Sequence, residues 1–196
     1  MNLEIIRSKL AEHEPVLAPF TGSEAAHAAV ALILHQPANG GCELLFIKRA
    51  RHPDDSWSGH IAFPGGHRDR QDPDIVATAR REVWEELQVR LEDPLGRLDD
   101  LDARKGSRPW PLVVSPFVFA LPARPAIRMN REEVWDVRWA PLKRLLHPAA
   151  ASTHVWGKGP DAETHPAVRF EDFNVWGMTY RMLRNFVSTF GGRLPA

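Results

Sequence analysis

Residues 63–89, FPGGHRDRQDPDIVATARREVWEELQV, constrain this chain more than any other stretch. They join a Pro-Gly-Gly turn to a segment of helical periodicity that carries Glu82, Glu85 and Glu86, with Arg81 directly ahead of them. Carboxylates crowded into so short a span repel one another unless a cation lies among them. The helix follows from local chemistry. Asp72 suits the N-cap, Pro73 the first helical position, and Asp74 brings negative charge to the positive end of the dipole, so the helix is expected from about residue 73. At about 100° per residue, Ile75, Val76, Ala79, Val83 and Leu87 form one apolar arc and the three glutamates an adjoining one. The apolar arc packs on a core. The acidic arc is either a solvated face balanced by Arg80 and Arg81 or the holder of a divalent metal.

The elements around this helix point to an α/β fold. Residues 27–35, HAAVALILH, are a continuous apolar run of strand length, the pattern of a central strand covered on both faces by helices. After a turn at Pro37, Asn39, Gly40 and Gly41, residues 42–49 return as a second strand, a hairpin with the first. That strand ends in Lys48 and Arg49, followed by Arg51: a solvated strand exit or a set of cations aimed at a ligand. Further strands are expected at 61–63, around 95–101, at 111–121 and at 134–141, with a polar hairpin tip at Lys105, Gly106 and Ser107. Pro116 inside the 111–121 run argues for an edge, a bulge or a bend. Helical spacing marks residues 2–13 and about 178–190, where Met182, Leu183, Phe186 and Phe190 form a core stripe.

A single domain over residues 1–196 is expected, with an N-terminal helix and linker at 1–22. Residues 147–167 are rich in Pro, Gly, His and small residues and lack periodicity, so they are expected to be a loop insertion or a lid. Charge excludes some partners. Lys plus Arg equals Asp plus Glu at 25 each, so no net field draws the chain to nucleic acid or an acidic membrane, and an anionic ligand needs a local site. No signal-peptide core or membrane-spanning run is present, and a cytoplasmic location is expected. Cys42 is the only cysteine, which rules out an intramolecular disulfide and a cysteine-based zinc cluster. His52, Asp54 and His60 follow no regular element and are not expected to bind metal. A homodimer is left open.

Turn and helix together resemble the Nudix box: Gly, five residues, Glu, seven residues, then Arg-Glu-U-x-Glu-Glu-x-Gly-U, with U aliphatic. Gly66 matches the opening glycine, and Arg81, Glu82, Val83, Trp84, Glu85, Glu86 and Val89 match the core in register. Asp72 replaces the first Glu, eight residues rather than seven separate it from Arg81, and Gln88 replaces the closing glycine. The expanded box, together with LLFIKRA upstream, FPGGHRDRQD and ATARREVWEE, is similar to the coenzyme A pyrophosphatase branch of the Nudix hydrolases. That branch usually carries an upstream arginine where this chain has Asp54.

The resemblance implies a Nudix-type α/β/α sandwich with a mixed β-sheet between helices. It also implies metal-dependent hydrolysis of a diphosphate linkage in a nucleoside diphosphate derivative, coenzyme A or an acyl-CoA first. ADP-ribose, a dinucleoside polyphosphate or a nucleoside triphosphate is the alternative substrate, and a non-catalytic nucleotide sensor the alternative of another class. Mg²⁺ or Mn²⁺ would be held by Glu82, Glu86 and Glu85 with the carbonyl of Gly65, and Arg81 would orient the carboxylates. Gly65 and Gly66 form the turn, and Lys48, Arg49, Arg51, Arg124, Arg128 and Arg131 are candidates for phosphate recognition. The general base is open between a box glutamate, Glu82 or Glu85, and Glu132, Glu133, Asp161 or Glu163.

Overall fold

The first strand, β1 (Ala26–His35), explains its own unbroken apolar run by having two cores to fill. Ala28, Val30, Leu32 and Leu34 enter one core, while Ala29, Ala31 and Ile33 enter the other, as the two-residue period of a strand requires. The computed structural model describes residues 1–18, 26–38, 40–53, 57–103, 112–157 and 159–195. The expected features at Asn39, at Asp54 and at Lys105, Gly106 and Ser107 therefore lie outside the described residues.

Next along the chain are β2 (Glu43–Arg49), β3 (Ile61–Ala62), β4 (Gly65–His67) and the box helix, whose bounds are Ile75–Leu87. The short strands β5 (Gly96–Arg97) and β6 (Leu101–Asp102), β7 (Leu112–Leu121) and β8 (Val134–Pro141) complete the main sheet. Helix α1 is Leu3–Glu12; the box helix is α2, a short turn Leu142–Leu145 is α3, and Gly177–Thr189 is α4. Residues of α1 and α4, among them Ile6, Leu10, Leu183 and Phe186, pack in one core; Ala79, Val83 and Leu87 of α2 pack in the other. Burying a side chain such as Val83 or Leu87 contributes about 1.5–3 kcal/mol. The mixed sheet thus lies between helices.

β1 runs parallel to β7 along its whole length, from Ala26 opposite Leu112 to His35 opposite Leu121. On its other side it changes partner. Leu34 and His35 pair with β2, whereas Ala28, Ala29 and Val30 pair with His67, Gly66 and Gly65 of β4. Between them, Ala31 N–H reaches the carbonyl of Pro64 at 2.9 Å. The sheet therefore forks beside β1, and the Pro-Gly-Gly turn sits in the fork.

Several expectations need correction. The N-cap of α2 is Asp74, which accepts from Ala77 N–H, and the helix begins at Ile75. Asp72 has other partners, described below. Pro116 is not on an edge: β7 has β1 on one side and β5 and β6 on the other. It is tolerated because it falls between the stretches that pair with β5 and β6, where only its carbonyl is used, by Leu98 N–H at 3.0 Å. The strand expected around 95–101 is two short strands. Residues 147–167 are not a loop. They hold two 3₁₀ turns, β9 (Ala151–Trp156) and most of β10 (Glu163–Phe170), and with β11 (Phe173–Trp176) form a second, antiparallel sheet in the order β11-β10-β9. Alternation in β9 buries nothing fully, so its hydropathy pattern is faint; cross-strand pairing holds it.

Candidate active site

Two glycines let the turn come within reach of α2. Gly65 has φ +147°, and a Cβ there would lie 2.2 Å from the carbonyl oxygen of Ala29. A Cβ on Gly66 would lie 2.5 Å from a carboxylate oxygen of Glu82. Backbone and carboxylates can meet only where no side chain intervenes. Gly65 N–H then donates to Glu86 Oε2 at 3.0 Å.

The three box glutamates are not equivalent. Glu86 is 2% exposed. Burial pushes its carboxyl up to about 8, against the Gly65 N–H bond and the positive charge of Arg49, while the charges of Glu82 and Glu133 push the same way as burial. Glu82 is also raised, first by burial; Arg81 opposes this, and Glu85 and Glu133 add to it. Glu85 is half exposed and turned onto Arg81 at 2.9 Å. Arg81 is the hub. It reaches Asp72, Glu82 Oε1 at 2.9 Å, Glu85, and the carbonyl of His67 at 2.9 Å.

Asp72, placed where the box has its first Glu, is fully occupied. It accepts from Arg81, from Asp69 N–H at 2.9 Å and from the buried Thr78 hydroxyl at 2.9 Å. The Arg81 bond above all holds its carboxyl down at about 2, despite its small exposed area. Gln88, in place of the closing glycine, adopts the left-handed conformation glycine would favour, φ 56° and ψ 32°. Its backbone N–H and side-chain Nε2 both donate to the carbonyl of Trp84 at 2.9 Å, and its left-handed conformation ends the helix.

Among the later acids, only Glu133 reaches this cluster electrostatically. Asn130 Nδ2 holds its carboxylate at 3.0 Å, and Asn130 N–H bonds the carbonyl of Glu86 at 2.8 Å, which ties the loop to α2. Glu132 instead gives its backbone carbonyl to His52. Asp161 and Glu163 belong to the β9–β10 hairpin. Arg124 is not available for phosphate. Its guanidinium grips the buried Glu43 with two bonds of 2.5 Å and lies over Trp139. Cys42 is buried with its thiol pushed up by burial, as an inert strand-end thiol should be.

The model that describes the NUDIX domain matches residues 25–156, a span that contains the turn, the carboxylates and Glu133. The chain belongs to the Nudix hydrolase superfamily. This Nudix hydrolase is 30% identical over 158 residues to the uncharacterized Nudix hydrolase NudL of Photorhabdus laumondii, covering 78% of this chain and 79% of that protein. It is 38% identical over 110 residues to the uncharacterized protein C14C4.10c of Schizosaccharomyces pombe, covering 54% of this chain; the match spans 33% of that protein's length. A MutT/nudix family protein from Enterococcus faecalis shares the fold at 18% identity, with a TM-score of 0.50 over 90% of this chain and 58% of that one.

Nudix hydrolases generally use divalent metal ions, and the donor set fits one: Glu82 and Glu86 are hard oxygen donors, desolvated and repelling each other beside a backbone turn. Among the described residues no three His, Cys, Asp or Glu side chains are already gathered into a metal cluster. Arg81 binds Glu82 and Glu85 meanwhile. A cavity of 310 Å³ opens beside Gly65 and Gly66. Its lining is mostly apolar, with Val30, Phe63, Met178 and Met182 among its residues, and includes Arg49 and His67.

An aromatic cluster at this cavity is not evident in the sequence. Trp57, His60 and Trp176 line it, and the cluster continues into Trp156, stacked on Trp57, and His154, stacked on Trp176 with ring centroids 3.8 Å apart. The i, i+2 spacing of His154 and Trp156 was the available signal, but it needed β9 to be read as a strand. No helix among the described residues is long and apolar enough to cross a membrane.

Proposed function

We propose that this chain is a Nudix pyrophosphatase that hydrolyses the diphosphate linkage of coenzyme A or acyl-CoA. The products are a 3′,5′-ADP-type and a phosphopantetheine-type fragment. The reading is carried by the desolvated Glu82–Glu86 pair facing Gly65 and Gly66, at the junction of a basic strand end with an apolar cavity. Such a junction suits a substrate whose diphosphate separates a charged nucleotide from a largely apolar arm. The similarity of LLFIKRA and the expanded box to the coenzyme A branch supports the same choice.

Glu82 and Glu86, with Glu85 and the Gly65 carbonyl as further donors, would hold Mg²⁺ or Mn²⁺. When bound, the ion supplies positive charge to the diphosphate oxygens and a water of lowered pKa. Arg81 aligns the carboxylates through its bonds to Glu82, Glu85 and Asp72. Arg49, within electrostatic reach of Glu86, and its neighbours Lys48 and Arg51 bring cations to the phosphates. Glu133 accepts a proton from the attacking water as the new P–O bond forms. The bond from the attacked phosphorus to the bridging oxygen breaks, and that oxygen leaves on the other phosphate.

A panel of coenzyme A, acyl-CoA, ADP-ribose, dinucleoside polyphosphates and nucleoside triphosphates, with both products identified, tests this. Coenzyme A or an acyl-CoA is expected to be cleaved best. Strong ADP-ribose hydrolysis without coenzyme A hydrolysis would reject the substrate, and nucleotide binding without turnover on any member would favour a sensor.

A further inference from the structure

Arg49 lines two cavities. One is the apolar cavity beside Gly65 and Gly66; the other, of 440 Å³, is lined by Lys48, Arg49, Arg51 and Arg131 and, among the described residues, by one carboxylate-bearing residue, Glu132. Asp136, opposite Lys48 in the β2–β8 ladder, does not neutralise this set, because its carboxylate bonds Arg138 at 2.6 Å. The ladder is irregular at this point. Lys48 pairs with Asp136 and Arg49 with Val134, so Trp135 is the extra residue of a bulge. A bulge leaves its extra residue unpaired and re-aims the side chain. Trp135 is 64% exposed and lines this second cavity, and Arg131 Nη1 fixes its carbonyl at 2.9 Å. Cations beside a projecting indole suit a nucleoside carrying a phosphomonoester, with charge for the phosphate and a flat face for the base.

The apolar cavity suits a nucleobase poorly. Its hydroxyl, Thr179 Oγ1, already donates to the carbonyl of Ile61 at 3.0 Å, and the ring of Trp176 is already stacked on His154, with Trp156 tilted against it. Met178 and Met182 instead give an adaptable apolar wall.

We propose that the substrate lies across Arg49, with its 3′-phosphoadenosine end in the Lys48–Arg51–Arg131 pocket against Trp135 and its pantetheine or acyl-pantetheine arm in the apolar cavity. This rests on the coenzyme A reading, but the subsite can be tested without turnover. Calorimetric titration with 3′,5′-ADP and with 5′-AMP is expected to give at least tenfold tighter binding of 3′,5′-ADP. Arg131→Ala should remove most of that preference, and Trp135→Ala should weaken both nucleotides alike. Met182→Trp should leave both affinities unchanged, which also reports an intact fold, while lowering kcat/KM for octanoyl-CoA about tenfold. Equal affinities in the wild type, or nucleotide binding lost in Met182→Trp and kept in Arg131→Ala, would overturn the orientation. Coenzyme A hydrolysis with equal affinities would refute the subsite and spare the reaction. Preferred 3′,5′-ADP binding without coenzyme A hydrolysis would support the subsite and refute the substrate.

Discussion

Arg81 grips Asp72 through two nitrogens, Nε to Oδ1 at 3.0 Å and Nη2 to Oδ2 at 3.1 Å, and with the same guanidinium holds Glu82 and Glu85. The planar fork allows this shared duty; a lysine could not divide itself so. Asp72 therefore fixes the orientation of the box arginine from nine residues upstream. Asp72→Ala is expected to lower kcat about 10- to 100-fold, the usual cost of removing a group that orients metal-site residues. The steady-state rate under saturating metal checks this, with circular dichroism to show the fold retained.

The same contact gives a pH dependence. The folded-state carboxyl of Asp72 lies at about 2, below the ordinary carboxylate value, because Arg81 bonds its charged form. A depressed acid stabilises the fold above its unfolded value and loses that contribution as pH falls through the folded one. Stability should thus decline between about pH 4 and pH 2, by about 1–2 kcal/mol after allowing for screening near the surface. Urea unfolding of the wild type and Asp72→Asn over this range should show the decline in the wild type and a flatter profile in the variant.

Glu86 carries the strongest burial cost in the cluster. Glu86→Gln keeps the side-chain shape and removes the charge, so it is expected to reduce metal-dependent turnover by about 10³-fold or more while folding normally. Adding Mg²⁺ or Mn²⁺ should raise the melting temperature of the wild type through binding linkage and leave that of the variant nearly unchanged. Chelation should reverse the wild-type shift.

Glu133 is the later acid whose charge reaches Glu82 and Glu86. Glu133→Gln is expected to lower kcat by about 10²- to 10⁴-fold, the range for loss of a general base. Asp161→Asn and Glu163→Gln should each stay within about twofold of wild type. Single-turnover rates measured side by side decide between them.

Gln88 occupies a left-handed C-cap, a conformation that costs a side-chain-bearing residue about 1 kcal/mol relative to glycine. Its Nε2 bond to Trp84 offsets part of this. Gln88→Gly should therefore stabilise the chain slightly, by about 0.5 kcal/mol, with activity unchanged. Chemical denaturation at neutral pH reads the difference.

The local elements were legible because their signals are local. The 3.6-residue spacing of Ala79, Val83 and Leu87, the unbroken run of β1 and the glycines beside Phe63 each depend on neighbours in sequence. The helix starts two residues beyond the expected position because Asp72, a good cap by type, is drawn to Arg81 and Thr78, while Asp74 caps instead. The strand pairing within 151–167 is not legible because β9 is half-exposed and held by pairing, which leaves little hydropathy contrast.

By itself, the sequence determined which residues are candidates for the chemistry: a glycine turn, Arg81 and three glutamates in a fixed register, with cations ending the preceding strand. Only the tertiary structure decided how they differ. The fork of the sheet beside β1 buries Glu86 and leaves Glu85 exposed; Asn130 brings Glu133 to the cluster; and the bulge at Trp135 makes a pocket of Lys48, Arg51 and Arg131. Burial, charge coupling and cross-strand register arise between residues tens of positions apart, and no local periodicity encodes them.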